Sequence, residues 1–297
     1  MTNNPPIHNE SDNVAVLGLG RMGTALATAL LAAGYRTTVW NRSEGKDGSL
    51  LELGAVRAAT AEDAVLASPI AIVALSNYEA VRHTLGTSPE AYAGRTLVNL
   101  TTGSPDEART MAAWAAEHGI RYLDGAMMAV PQTVATPDAF FLYSGSDAAF
   151  NLHRGVLDTL ATSHYLGTDP AVAELWDLGL LGTGYAALAG FLHSLALLDT
   201  ADVSPSQFVP LASQWLQGMI AFMTELAHEI ESGDYTQGVS SIDLNRAAVG
   251  NLVLASRLQG LDSDVHTPLR GLLDRRAADG HGADSFSSLF EVMRRRA

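Results

Sequence analysis

The feature that most constrains this 297-residue chain is a change of periodicity near Gly167. Before it, short β-branched runs at 14–17, 37–40, 70–75, 96–99, 122–124, 140–143 and 164–166 alternate with helical segments at 21–33, 61–67, 78–85, 105–118 and 147–160. Such alternation specifies an α/β domain with a parallel sheet and helices on its faces. After Gly167 only helical periodicity continues, over 170–200, 205–231, 240–259, 266–278 and 285–295, broken by turn chemistry such as Ser232-Gly-Asp234 and Asp279-Gly-His-Gly282. The predicted layout is a polar tail over 1–12, read as disordered, an α/β domain over 13–167, and an interdomain helix with a helical domain over 168–297.

Composition removes several functions. The chain holds 18 basic and 32 acidic residues, a net charge of −14, which disfavours nucleic acid or an anionic membrane as partner. It has no cysteine, so disulfide, thiolate-metal and Cys-nucleophile chemistry are absent. Its nine His show no metal-ligand spacing, and no metal is expected. Lys46 is the single lysine beside 17 arginines, so a mechanism needing a lysine elsewhere is excluded. Residues 1–12 lack the apolar core of a secretory signal, which gives a cytoplasmic expectation and makes the sequons at Asn9, Asn41 and Asn99 chance matches. Residues 178–198 carry no Asp, Glu, Lys or Arg and reach membrane-spanning length, but Glu174, Asp177, Asp199 and Asp202 flank them without a basic cluster. A helix buried on all sides is the expectation.

Gly18-Leu19-Gly20-Arg21-Met22-Gly23 follows the first strand and opens the first helix. In that context the three glycines serve a tight turn, backbone approach to a pyrophosphate, and close helix–strand packing, and the helix N-terminus favours the phosphates. The domain therefore reads as a Rossmann dinucleotide-binding domain. An NAD site places an acid at the end of the second strand to accept from the ribose 2′-hydroxyl. Here Asn41-Arg42-Ser43 and then Lys46 supply donors where a 2′-phosphate would lie, so NADPH is the expected cofactor. Leu75, Ser76, Asn99 and Thr101, at the ends of later strands, complete the expected cofactor contacts.

Three further segments fall where ligands of such sheets sit: Asn99-Leu-Thr-Thr102-Gly103-Ser-Pro105, a second edge loop Asp124-Gly-Ala-Met127-Met128-Ala-Val-Pro131, and the helix opening Ala173-Glu-Leu-Trp-Asp177-Leu-Gly-Leu-Leu181-Gly182-Thr-Gly184-Tyr185. Together with GLGRMG, Trp-Asn-Arg-Ser and the late Gly280-His-Gly282, they resemble the imine reductase and reductive aminase family over about residues 13–295. That family is related to the β-hydroxyacid dehydrogenases. The resemblance implies NADPH-dependent reduction of imines to amines, with reductive amination of ketones as an extension. It also implies an intertwined homodimer in which the long helix crosses into the partner's bundle.

The related dehydrogenases use a lysine on the interdomain helix, and here the matching position holds Asp177. A carboxylate suits a substrate that becomes cationic, because an imine must be polarised as an iminium before a hydride adds to it. Asp177 interrupts an apolar helix, where an unpaired acid is costly; a charge favoured near the helix N-terminus, or pairing with a distant Arg, is its structural alternative. Tyr185 lies two turns on, ~12 Å along the helix and ~80° around it. The resemblance makes Asp177 and Tyr185 the catalytic pair. It places Thr102, Met127, Met128, Leu181 and Gly184 at the substrate, with Trp215, Met219, Phe222, Leu244 and Asn245 contributed by the second subunit.

Two departures stand out. Thr102 replaces the Asn that the aminases carry, and Ala135 stands before Thr136-Pro137 where the family commonly has Gly. Two other readings remain: a hydroxyacid or alcohol dehydrogenase of the related family, and a non-catalytic NADPH-binding sensor.

Overall fold

The computed structural model describes residues 13–294. The proposed disordered tail over 1–12 lies outside the described residues. The chain divides into two compact units, one up to Leu181 and one from Gly182 onward.

The first unit is built on eight strands: β1 (Asn13–Leu17), β2 (Arg36–Trp40), β3 (Val56–Arg57), β4 (Ile70–Val73), β5 (Thr96–Asn99), β6 (Arg121–Met128), β7 (Phe140–Gly145) and β8 (Thr162–Tyr165), in the order β3-β2-β1-β4-β5-β6-β7-β8. The central strands are apolar runs buried on both faces, as a parallel sheet with helices on each side requires. Their side chains alternate between two cores. Val14 and Val16 pack with Leu26 and Leu30 of α1 (Arg21–Ala32) and with Phe150 and Leu157 of a helix over Asp147–Leu160. Ala15, Leu17 and Val73 pack on the other face with residues of three more helices, Ala61–Leu66, Tyr78–Leu85 and Pro105–Glu117. The last of these starts on a capping box, Ser104 with Glu107, and Pro105 in its first turn.

In chain order the helices of this unit are α1, α2 (Gly48–Glu52), α3 (Ala61–Leu66), α4 (Tyr78–Leu85), α5 (Pro105–Glu117) and α6 (Asp147–Leu160). The alternation predicted neither β3 nor α2, because two and five residues are too short to show a period. The sheet also departs from all-parallel. β6 and β7 pair antiparallel, joined without a helix through 129–139. Consequently Met127 and Met128, expected on an edge loop, lie in β6 opposite Phe141 and Phe140.

The long helix α7 (Val172–Asp199) passes from the first unit into the second. Only Ala173, Glu174 and Asp177 of it are buried, and Leu178, Leu180, Leu188 and Leu192 are exposed. The expectation of a helix buried on all sides is therefore not met within one chain. By length and composition alone the helix is long and apolar enough to cross a membrane.

The second unit continues with α8 (Pro205–Ala221), α9 (Met223–Ser232), α10 (Ile242–Leu258), α11 (Thr267–Arg276) and α12 (Leu289–Met293), around a small core of Ile242, Leu273 and Leu289. The single helix expected over 205–231 is two, because at Phe222 the hydrogen bond tightens to Met219 O (3.1 Å). The segment after α11 winds a wider turn through Gly280, whose φ is +89°.

Ala135 adopts φ +61°, the left-handed region, and its N–H donates to Leu160 O at 2.7 Å. A Cβ in that region costs roughly 1–2 kcal/mol. Ala135→Gly is expected to stabilise the protein by about 0.5–1 kcal/mol after the added unfolded-state freedom of Gly, read as a rise in Tm. An unchanged or lower Tm would show that Ala135 sits without strain.

Candidate active site

The register of the sheet sets the site. Trp40, Leu17, Val73 and Asn99 end β2, β1, β4 and β5 side by side, with Asp124 of β6 in the same row, so the loops after those four strands emerge along one edge. This carboxyl edge, at the reversal of strand order between β1 and β4, is where such sheets bind ligands.

After β1, Gly18 turns with φ +96°, and a Cβ there would lie 2.2 Å from Ala74 O. A Cβ at Gly23 would lie 1.8 Å from Gly18 O, so α1 can approach the strand end this closely only through glycine. Gly20 caps α1, and nothing lies within 4 Å of a Cβ built on it. That open space above a helix N-terminus fits a pyrophosphate held by backbone N–H groups. Arg21 stands exposed in the first turn, where a cation is unfavourable to the helix dipole unless an anion sits beside it. Leu19 is buried and Met22 half-buried.

Asn41 ties this turn to the loop after β2. Its Oδ1 accepts from Leu19 N (2.9 Å) and its Nδ2 donates to Ser43 O (2.8 Å). Arg42, Ser43 and Lys46 are exposed on that loop. Arg57, the next cation, is held by Asp47. The free donors beside the turn are thus the three that the sequence pattern singled out, and they fit a 2′-phosphate.

Past β4 and β5, Leu75 N donates to Thr101 Oγ1 (3.1 Å), and Thr101 N donates to Asn99 Oδ1 (3.3 Å). Ser76 and Thr102 are exposed. Asn99 Nδ2 donates to the Tyr122 hydroxyl (3.1 Å), which donates to Asp124 Oδ2 (2.5 Å). Tyr78, at the start of α4, donates to the same oxygen (2.6 Å) and lies 3.2 Å from Glu174 Oε1. Glu174 Oε2 accepts from Gly103 N (3.2 Å), which returns the chain of bonds to the loop where it began. Burial pushes Asp124 up to about 7 and Glu174 up to about 8, and pushes the Tyr78 and Tyr122 hydroxyls well above the usual phenol range.

Asp177, one turn beyond Glu174 on α7, is 3% exposed, and burial raises its pKa. Among the described residues no hydrogen bond or cation reaches its carboxyl, so the alternative of a structural pair with a distant Arg finds no partner.

The remaining candidates stand as follows. Met127 packs on one core of the sheet and Met128 on another small cluster with Ala173. Leu181 is half-buried, and at Gly182 and Gly184 a Cβ would meet open space. In the second unit Tyr185, Trp215 and Leu244 are 68%, 67% and 62% exposed, and Met219 and Phe222 are exposed on the same helix end. Asn245 is occupied locally, its Nδ2 donating to Ser240 Oγ (2.6 Å) and Ser241 O (2.8 Å).

Tyr78, Tyr122 and Glu174 were not singled out by the sequence, and Asp124 only as the start of a loop motif. One signal for Glu174 existed: it and Asp177 are three apart at the start of an apolar helix, which puts both acids on one face.

A family model for the NADPH-dependent reductive aminase-like C-terminal domain matches residues 169–295, and one for the NAD binding domain of 6-phosphogluconate dehydrogenase matches 13–167. An NADPH-dependent reductive aminase of Aspergillus oryzae is 36% identical over 96% of this chain and 98% of its own length. A reductive aminase from Aspergillus terreus, solved with NADPH4, cyclohexanone and allyl amine, superposes with a TM-score of 0.90 at 41% identity, covering 96% of this chain and all of that one (100%). A Streptomyces aurantiacus imine reductase superposes at 0.91 with 33% identity, over 95% of this chain and 100% of that one. Relatives this similar along nearly the whole chain make the protein a member of the imine reductase and reductive aminase family.

Proposed function

We propose that this protein reduces imines and iminium ions to amines with NADPH. The observation that carries the reading is Asp177, a buried carboxyl without a cation partner, in a chain with no lysine after Lys46. A hydroxyacid dehydrogenase of the related family lacks its lysine here. A non-catalytic sensor has no use for an isolated buried acid, which is costly to keep.

Bound NADPH supplies the hydride. The residues of this chain hold and orient the reactants. The Gly18–Gly20 turn and the α1 N-terminus, with Arg21, hold the pyrophosphate, and Leu19 and Met22 shape that turn. Asn41, Arg42, Ser43 and Lys46 hold the 2′-phosphate. Leu75, Ser76, Asn99 and Thr101 line the rest of the cofactor path. As the imine nitrogen gains its proton, the Asp177 carboxylate stabilises the cation in a low-dielectric setting where the attraction is strong. Tyr185 orients the substrate through its hydroxyl, and Thr102 offers one hydroxyl in place of a longer amide.

Reductive amination of a ketone is the extension that the Asp177 and Tyr185 pairing favours. Met127, Met128, Leu181 and Gly184, with Trp215, Met219, Phe222, Leu244 and Asn245 of the partner subunit, form an apolar pocket for the remainder of the substrate. A cytoplasmic setting, where reduced cofactor is found, suits a chain without cysteine.

The assembly proposed is a homodimer with its sites shared between subunits. Its support is the apolar surface of α7 beyond Asp177 and of α8, where no residue is buried in a single chain. Such a surface is far from what a monomer leaves in water.

Three tests follow from this reading. With a preformed cyclic imine such as 1-pyrroline, wild type consumes NADPH, and Asp177→Ala loses roughly 100-fold or more in kcat/KM with NADPH affinity unchanged; equal rates in the two would remove Asp177 from the chemistry. Arg42→Ala with Lys46→Ala raises the KM for NADPH by about tenfold or more and leaves that for NADH unchanged; a parallel rise for both would put the loop outside the 2′-phosphate site. Light scattering gives twice the 31.3 kDa chain mass, and a monomer at working concentration would contradict the shared site.

A further inference from the structure

The bonds around Glu174 form a closed circuit that the proposed reaction does not use. Glu174 lies in the first turn of α7 and Asp124 at the row of strand ends, and both are completely buried. The Tyr78 hydroxyl stands between them, 2.6 Å from Asp124 Oδ2 and 3.2 Å from Glu174 Oε1. The second oxygen of Asp124 is buried without a hydrogen-bond partner. The other groups facing the pair are Tyr122 on β6, Asn99 on β5, the Gly103 N–H after β5, and Asp177 on α7. Glu107 of α5 stands near Gly103. Arg109 of α5 is turned to Asp169 and Asp106. Among the described residues no cation is one of the groups acting on either carboxyl.

Two buried carboxylates without a cation repel strongly. We infer that Glu174 and Asp124 are positioning residues that share a proton near neutral pH, fixing the Thr101–Gly103 loop against α7 and leaving Asp177 as the one carboxylate there that meets a substrate cation. The proton rests on Glu174, because two tyrosine hydroxyls donate to Asp124 and hold its charge, and a neutral Glu174 has two consequences. It clamps Gly103 through Glu174 Oε2, and the Tyr78 ring fills the space that a side chain at Gly103 would need, 2.4 Å from its Cβ. It also keeps a second negative charge from the turn before Asp177, where it would hold the Asp177 proton more tightly.

The role of the pair at Asp177 rests on the proposed imine chemistry; the shared proton does not. The sign of its effect on stability is fixed. Both carboxyls are raised in the fold, so the folded state keeps protons that the unfolded chain releases above about 4. The stability this gives is lost as pH rises toward and through about 7 to about 8.

The test combines three measurements on the full-length protein. Infrared spectroscopy of wild type at neutral pH is expected to show the C=O stretch of a protonated carboxylic acid that Glu174→Gln or Asp124→Asn removes. Tm of wild type is expected to fall as pH rises from about 4 to about 8, and to fall less in both variants. Glu174→Gln keeps the length and the acceptor toward Gly103, so the acid limb of its kcat/KM profile with 1-pyrroline should superimpose on that of wild type. The absence of a protonated carboxyl band overturns the inference. So does an acid limb displaced to lower pH in Glu174→Gln, because that would mean an ionised Glu174 beside Asp177. If the band and the Tm behave as expected and wild type reduces no imine, the functional reading fails and the shared proton stands.

Discussion

Everything at the carboxyl edge depends on how closely α1 approaches the end of β1. The space between the Gly23 α-carbon and the Gly18 carbonyl is too small for a methyl group, since a Cβ would sit 1.8 Å from the oxygen. With that approach, the α1 N-terminus opens directly above the sheet edge, and Asn41 can bridge Leu19 to the loop after β2. The parallel register then places Leu17, Val73, Asn99 and Asp124 in one row. Helix dipole, phosphate donors and the Thr101–Gly103 loop are thereby fixed relative to one another by backbone geometry rather than by long side chains.

A second principle operates beside the first, that of charge held in low dielectric. The chain carries a large negative excess, yet its buried acids are few and placed. Glu229, another of them, is satisfied by the hydroxyls of Ser285 and Ser287. One oxygen of Asp124 accepts from two tyrosine hydroxyls, and Glu174 accepts from the Gly103 N–H and lies beside the Tyr78 hydroxyl. Asp177 alone of this group lacks a donor, which is costly for stability and useful only if a ligand brings the positive charge.

Much of this was legible from residue order. The switch from alternating to purely helical periodicity, the glycine fingerprint and the Asn41–Lys46 loop all act locally, and local patterns survive into structure. β3 and α2 were too short to leave a period, and the β6–β7 hairpin was hidden because a connection without a helix looks like any other loop until its partner is known. The Tyr78–Asp124–Glu174 circuit joins residues 46 and 96 positions apart, beyond what spacing reveals. Ala135 illustrates the converse: a residue noted as unusual only by resemblance sits at φ +61°, the reason a glycine suits that place. The exposed flank of α7 marks the limit of a single chain, since a helix apolar all round needs more surface than one chain here gives it.

The central claim is that Asp177 builds a site for a cation. It is tested most directly by comparing, in the presence of NADP+, the affinities of a protonated cyclic amine, an uncharged ring of the same size, and a small hydroxyacid. The account predicts that the ammonium ion binds most tightly and that Asp177→Asn abolishes its advantage over the neutral ring. Tighter binding of the hydroxyacid, or an ammonium preference that survives Asp177→Asn, would contradict it.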